Sequence, residues 1–280
     1  MVITALSKIN IMKCPICNDG MSVSFMAMVL CHHEATFDYC QACGFLRARD
    51  PHWLAEAYSS AITAADTGLA VRNISIARKL ASILYFIFDE RGQGSYVDTA
   101  GGSGMLTRLM RDYGFNFFWA DKYAGNLLAK GFEYDQAVGC CRAVTAIEVM
   151  EHVEYPVAFI RDSLERFQSE VFIFTTELFE GAPPHADEWQ YYSLETGQHI
   201  SFFQRRTLEV IAEKMGLRFV SNGEIHILSK HPVNFLRLRL FAGRASVLGA
   251  YLARRGLGSR TMSDHENIAR HSAIDKDGRS

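Results

Sequence analysis

From residue 73 to residue 230 the chain switches repeatedly between two hydrophobic periods. Over Asn73–Asp89 the apolar residues Ile74, Ala77, Leu80, Ala81, Leu84, Ile87 and Phe88 recur every three or four positions, which predicts an amphipathic helix. Short apolar runs at Tyr96–Thr99, Phe115–Ala120, Ala143–Ile147 and Val171–Thr175 predict strands. Between and after them, Met105–Tyr113, Pro156–Phe167 and Arg206–Met215 predict helices. The second opens on proline and the third stops at Gly216. Leu217–Ser221 and Glu224–Ser229 flank Asn222-Gly223 and predict a closing hairpin. Strands alternating with helices imply a doubly wound α/β sheet, mostly parallel, with an antiparallel hairpin at its C-terminal end.

The pattern at the front is different. Cys14-Pro-Ile-Cys17 and Cys40-Gln-Ala-Cys43 are two C-x-x-C pairs separated by residues 18–39, with strand-like runs at Ser22–Leu30 and Ala35–Tyr39 between them. Two such pairs can bring four thiolates onto one tetrahedral Zn²⁺, and Gly44 lets the chain turn after the last ligand. This is the layout of a zinc ribbon. Four thiolates close the coordination sphere, so the site is expected to be structural, with the metal supplying folding energy that so short a segment lacks. His32 and His33 are competing ligand candidates.

The turn Asp98-Thr99-Ala100-Gly101-Gly102-Ser103-Gly104 sits between the first central strand and its helix, at the carboxyl edge where open α/β sheets bind ligands. Small residues admit a ligand close to the backbone, and the helix N-terminus adds free N–H donors. Read from Gly102, the dinucleotide pattern G-x-G-x-x-G meets Thr107 at its third glycine. No Gly-Lys-Ser/Thr follows either, as a P-loop would require. An acid at Asp98 favours a ligand bearing ammonium and sulfonium charge over an anionic phosphate. Asp121, about twenty residues on at the end of the next strand, is placed to accept hydrogen bonds from both ribose hydroxyls of an adenosine.

These residues resemble the class I S-adenosylmethionine-dependent methyltransferases over roughly residues 75–230. Val97–Gly104 is similar to the first motif of that family, Asp121 to its ribose-binding acid, and Ala146-Ile147-Glu148-Val149-Met150-Glu151-His152-Val153 to the E-V-L-E-H signature after the fourth strand. With the ribbon included, the chain resembles a subgroup that has an N-terminal zinc-binding region and includes methyltransferases of nucleotide-linked ketosugars. The resemblance implies a Rossmann-like fold and S-adenosylmethionine as cofactor, with Asp98, Ala100, Gly102, Gly104, Asp121 and Glu148 around it. It also implies structural zinc on Cys14, Cys17, Cys40 and Cys43, and a small polar acceptor, sugar or nucleotide-linked sugar. The family has glycine where this chain has Ala100. A methyl group there is tolerated only at negative φ.

Methyl transfer needs an aligned nucleophile, exclusion of water and often removal of a proton. Glu148, Glu151 and His152 would share a face if a helix has begun there. His199 lies in Gly197-Gln198-His199-Ile200-Ser201-Phe202-Phe203, which is similar to an H-x-x-F-F stretch near the substrate in the subgroup. His199, with Glu148 or His152 behind it, is the expected handler of the acceptor proton. Trp189, Tyr191 and Tyr192, and more weakly His185 and Glu177, share its long aromatic loop and are candidates for contact with a planar or sugar substrate. Cys140 and Cys141 read as buried packing residues without a base partner.

Residues 231–260 carry Arg237, Arg239, Arg244, Arg254, Arg255 and Arg260 without Asp or Glu. The apolar residues Phe235, Leu238, Phe241, Leu248 and Leu252 fall close to helical spacing. A basic amphipathic helix docked on the domain is expected, with an anionic substrate or partner subunit as the next use of the charge and a membrane surface less so. The stretch from Asn267 reads as a loose tail. The expected division is 1–50 ribbon, 51–230 methyltransferase domain, 231–280 helix and tail. A net charge of −2 makes the average surface no trap for nucleic acid. No run nears the length of a membrane span, and Met1–Lys13 lacks the apolar core of a secretory signal, so a cytoplasmic protein with reduced thiols is expected. A phosphate-bearing small molecule is the expected partner. A non-catalytic zinc-containing binding protein with a degenerate methyltransferase fold and an NAD-dependent oxidoreductase are the alternatives.

Overall fold

The computed structural model describes residues 12–58, 67–88 and 91–277. Most of the Met1–Lys13 segment and the predicted helix end at Asp89 lie outside them.

The chain enters through an antiparallel pair, β1 (Ser22–Val29) and β2 (His33–Tyr39), continues in β3 (Leu46–Ala48) and a single turn α1 (Leu54–Ala57), and then forms α2 (Leu69–Phe86). The α/β unit follows: β4 (Ser95–Thr99), α3 (Met105–Asp112), β5 (Asn116–Ala120), β6 (Cys141–Ala146), α4 (Pro156–Arg166) and β7 (Val171–Thr175). A two-residue strand β8 (Ser201–Phe202), α5 (Arg205–Met215) and the hairpin β9 (Arg218–Ser221) and β10 (Ile225–Ser229) complete it. Three helices close the chain: α6 (Phe235–Ala242), α7 (Ser246–Leu257) and α8 (Thr261–Asp277).

The central sheet runs β5-β4-β6-β7-β10-β9. Its first four strands are parallel and β10 pairs antiparallel with both β7 and β9. This is the Rossmann-like sheet the alternation predicts. Every residue of β7 is buried, the continuous apolar run of a strand covered on both faces. Crossovers place helices on each side. One core gathers Ile76, Leu80 and Leu84 of α2 with Tyr96, Phe117, Ile173 and Ile227, and the opposite one gathers Val144, Phe172, Phe174, Leu208 and Ile211.

The ribbon shares its core with the α/β unit. Its cysteines, Ile16 and Phe45 belong to the same buried cluster as Phe203, Leu208 and the sheet. The Phe45 and Phe203 rings lie 5.4 Å apart, and the Thr207 hydroxyl donates to the Cys43 carbonyl at 2.8 Å. β8, from the middle of the expected methyltransferase region, adds to the front sheet in the order β1-β2-β3-β8. A two-residue strand carries no periodicity, so only its partner β3 makes it a strand.

The expected single basic helix is two, bent at Gly243–Ala245. Leu238 and Ala242 of α6 and Gly249, Ala250 and Ala253 of α7 are buried, with α7 resting on α2. The expected loose tail is helical. Buried Asp264 of α8 accepts both Arg111 guanidinium contacts, at 2.8 and 2.7 Å, and pairs with Arg108 at 2.9 Å. Of the adjacent cysteines, Cys141 is buried but Cys140 is exposed and donates to Gln168. Among the described residues no helix is long and apolar enough to cross a membrane.

Candidate active site and metal cluster

The carboxyl ends of β4, β5, β6 and β7 meet at one edge of the central sheet. After Thr99 the chain turns through Ala100–Gly104 into α3. Ala100 takes φ +54°, Gly102 +53° and Gly104 +83°. The left-handed region costs a residue with a Cβ about 1–2 kcal/mol. Ala100 therefore sits strained where a glycine would not, contrary to the negative φ the sequence reading required. At Gly102 an added Cβ would meet nothing within 4 Å, so the turn opens onto free space there. At Gly104 it would meet the Asn126 side chain at 2.6 Å and Ala129 at 3.1 Å.

β5 pins this turn. The Gly102 N–H donates to Asp121 Oδ2 at 2.9 Å, and the Trp119 indole N–H donates to the Gly102 carbonyl at 2.9 Å. Asp121 Oδ1 also accepts from the N–H groups of Tyr123 (2.7 Å) and Ala124 (2.8 Å). Asp121 thus sits beside the turn and holds it in shape. Trp119 was not a sequence candidate, because an aromatic residue in a strand reads as packing. Asp98 lies beneath the turn, 3% exposed, with the Thr145 hydroxyl donating to it at 2.7 Å. Burial pushes its carboxyl up to about 7; the Thr145 bond opposes that rise and the Asp121 charge adds to it.

Beyond β6 no helix begins. Glu148 takes φ +55°, and Met150–His152 form one tight turn before α4 starts at Pro156. The i, i+3, i+4 face expected for Glu148, Glu151 and His152 is therefore absent, and the three carry different environments. Glu148 is exposed. Its N–H donates to Thr175 Oγ1 at 2.9 Å, and that hydroxyl donates back to Glu148 Oε1 at 2.7 Å. Glu151 is fully buried, and neither carboxylate oxygen has a hydrogen-bond partner. Burial pushes it up to about 8, with the Glu148 charge adding and the nearby Tyr191 and Thr176 hydroxyls opposing.

The long loop after β7 returns His199 to this place. The His152 and His199 rings meet edge to face with centroids 4.8 Å apart. The Ile200 N–H donates to the Glu151 carbonyl at 2.8 Å, the Ala48 N–H donates to the Ile200 carbonyl at 2.9 Å, and the Ser201 hydroxyl donates to the Val153 carbonyl at 2.6 Å. The front sheet thus clamps the His199 segment to the Glu151 turn. Burial pulls His199 down to about 3, with the His152 ring contributing, and lowers His152 as well. Tyr191 lines the same wall: its hydroxyl lies 3.1 Å from Thr176 Oγ1 and accepts the Glu177 N–H at 3.1 Å. Trp189 donates to Glu177 at 2.7 Å, and Tyr192 is buried against Phe25, Phe37 and Phe202, its hydroxyl donating to the Pro184 carbonyl. Tyr192 is packing that ties the loop to the front sheet. His185 is exposed and joins none of these groups.

At the other end of the ribbon, the sulfurs of Cys14, Cys17, Cys40 and Cys43 lie within 4.8 Å of one another. The Cys14–Cys43 pair is at 3.6 Å and Cys17–Cys40 at 3.4 Å. Thiolates bound to zinc at about 2.3 Å stand roughly 3.8 Å apart in a tetrahedron, so the cluster is compatible with that metal. Cys14 is drawn down to about 5 chiefly by the Cys43 thiol donating to it; burial pushes Cys40 up to about 11. His32 and His33 lie at the far end of β2, against Glu56 at 3.3 and 3.0 Å, and do not compete for the cluster.

A family model described as a methyltransferase domain matches residues 72–222. No curated protein matches the chain. Among solved structures the chain is similar to TnmH, at 18% identity and a TM-score of 0.44, covering 64% of this chain and 61% of that one. It is also similar to an O-methyltransferase family 2 protein from Planctomyces limnophilus in complex with apigenin, at 13% identity and a TM-score of 0.41 (66% and 63% covered). A third is CalO1, a methyltransferase in calicheamicin biosynthesis, at 14% identity and a TM-score of 0.35 (63% and 66% covered). The chain spans less than two thirds of the length of each. The family match covers over half of the sequence: the chain belongs to the methyltransferase-domain family.

Proposed function

We propose that this enzyme moves a methyl group from S-adenosylmethionine to a hydroxyl of a small polar acceptor, a sugar or nucleotide-linked sugar. The observation that carries the reading is the turn Ala100–Gly104, open at Gly102 and pinned by Asp121 at the carboxyl edge of β4. A cofactor laid there would meet backbone N–H groups and small side chains, and the cradle at Gly102 fits it. Bound there, S-adenosylmethionine supplies an activated methyl group. Gly102 and Gly104 admit it, Asp121 keeps one Oδ2 lone pair for the ribose, and Asp98 supports the turn from beneath.

The acceptor side is the wall of Glu148, His152, His199 and Tyr191. Glu148 is the exposed carboxylate and the group able to take the acceptor proton. The low proton affinity of His199 makes that imidazole a donor of its lone pair rather than a proton store. Zinc on the four cysteines would be structural: four thiolates leave no position for a substrate, and the cluster buttresses α5 and Phe203.

Calorimetric titration with S-adenosylhomocysteine, beside NAD as control, tests the reading. Binding of the first in the micromolar range and none of the second is expected. Binding of NAD alone would overturn it.

A further inference from the structure

We infer that Glu151, His152 and His199 form a second metal site, for one divalent cation of nitrogen and oxygen preference, on the acceptor side of the cleft. One ligand atom from each lies within 4.8 Å of the other two. Three observations point to a cation. First, Glu151 is wholly buried and neither oxygen has a hydrogen bond of good geometry, only the Tyr191 and Thr176 hydroxyls lying near it, a state in which a carboxylate calls for a positive charge. Second, His152 Nδ1 lies 3.0 Å from the Gln198 carbonyl and His199 Nδ1 lies 2.6 Å from the Tyr191 carbonyl. A carbonyl oxygen only accepts, so each Nδ1 carries the hydrogen, the Tyr58 hydroxyl at 3.0 Å from His152 Nδ1 then sharing it as a second acceptor, and each neutral ring keeps its lone pair on Nε2. A backbone carbonyl behind the ring is the usual support of a metal-binding histidine, fixing both tautomer and orientation. Third, the three residues come from two segments that the fold ties together through Ile200, so the cluster is held before any ion arrives.

Two imidazoles and one carboxylate suit Mn²⁺, Co²⁺ or Zn²⁺ and leave coordination positions open. The cysteine cluster cannot serve this purpose, being closed and at the other end of the ribbon. The role offered rests on the proposed function. A cation here would draw the acceptor hydroxyl to the wall and favour loss of its proton to the Glu148 carboxylate. The oxygen then bonds to the methyl carbon while the carbon–sulfur bond breaks, its electron pair passing to sulfur. His152 and His199 act as ligands in this scheme, and Glu148, outside the cluster and bonded to Thr175, stays free to take the proton.

Titration of the purified full chain, ribbon metal retained, with Mn²⁺ followed by the loss of the free-ion paramagnetic resonance signal tests the site. One equivalent should bind to the wild type, and Glu151→Gln and His199→Gln should each weaken binding by more than tenfold. Both variants should keep wild-type affinity for S-adenosylhomocysteine, which shows that they are folded. No Mn²⁺ bound by the wild type below about 1 mM, or unchanged binding by both variants, overturns the inference. Because no acceptor is present, S-adenosylhomocysteine binding without Mn²⁺ binding sinks the metal site alone. Mn²⁺ binding without S-adenosylhomocysteine binding sinks the cofactor reading alone.

Discussion

Asp121→Asn separates two duties of one side chain. The Asp121 Oδ1 atom accepts the Tyr123 and Ala124 N–H groups, and an asparagine oxygen can still do so. The Oδ2 atom accepts the Gly102 N–H at 2.9 Å, and an asparagine NH₂ there would face a donor with a donor. The variant therefore removes one bond to a charged acceptor, worth about 1.5–3 kcal/mol, and loosens the turn at the point where it opens. If the cofactor needs that turn in its present shape, the loss appears in its affinity as roughly 10- to 150-fold, at about 1.4 kcal/mol per tenfold. Asp121→Ala removes the Oδ1 bonds too and should bind no better. Calorimetry with S-adenosylhomocysteine at one salt concentration gives both dissociation constants, and a thermal melt shows whether the fold survives. Wild-type affinity in Asp121→Asn would show that the pinned turn is not part of the cofactor berth.

Four further outcomes are expected. Ala100→Gly relieves a left-handed alanine but frees the unfolded chain, so a small net stabilisation of up to about 1 kcal/mol should appear as a melting point raised by about 2–4 °C. The buried Asp98 carboxyl, pushed up to about 7, keeps its proton in the folded state after the unfolded chain has released it. Wild-type stability should therefore fall relative to Asp98→Asn as pH rises from about 4 to 7, and urea titrations at several pH values would show this slope. Stripping metal with a strong chelator should lower the main unfolding transition rather than a separate small one, because the cysteines share a core with Phe203 and Leu208; scanning calorimetry distinguishes the cases. Asp264→Ala leaves buried Arg111 without its carboxylate and should cost about 3–5 kcal/mol in denaturant unfolding, whereas a loose tail would cost nothing.

The local signals in this chain were strong where one element decides its own form. Val171–Thr175 reads as a buried strand because five apolar or small residues in a row fit nothing else, and Arg205–Met215 ends where Gly216 can turn left-handed. The places of the glycine-rich turn, of Asp121 and of the two cysteine pairs were legible for the same reason: each is set by spacing within one short segment. The positive φ of Ala100 was not, since nothing in an alanine announces the backbone angle its neighbours impose. Nor were β8 and its pairing with β3, the helical tail tied down by Arg111 and Asp264, or the tight turn that gives Glu148 and Glu151 opposite exposures. The strand and the tail depend on partners more than a hundred residues away, and the turn on Thr175 and Ile200 in later segments. Most of all, Glu151, His152 and His199 become one cluster only because the front sheet draws the loop after β7 back across the end of β6, and a sequence holds no record of which distant segment closes over which.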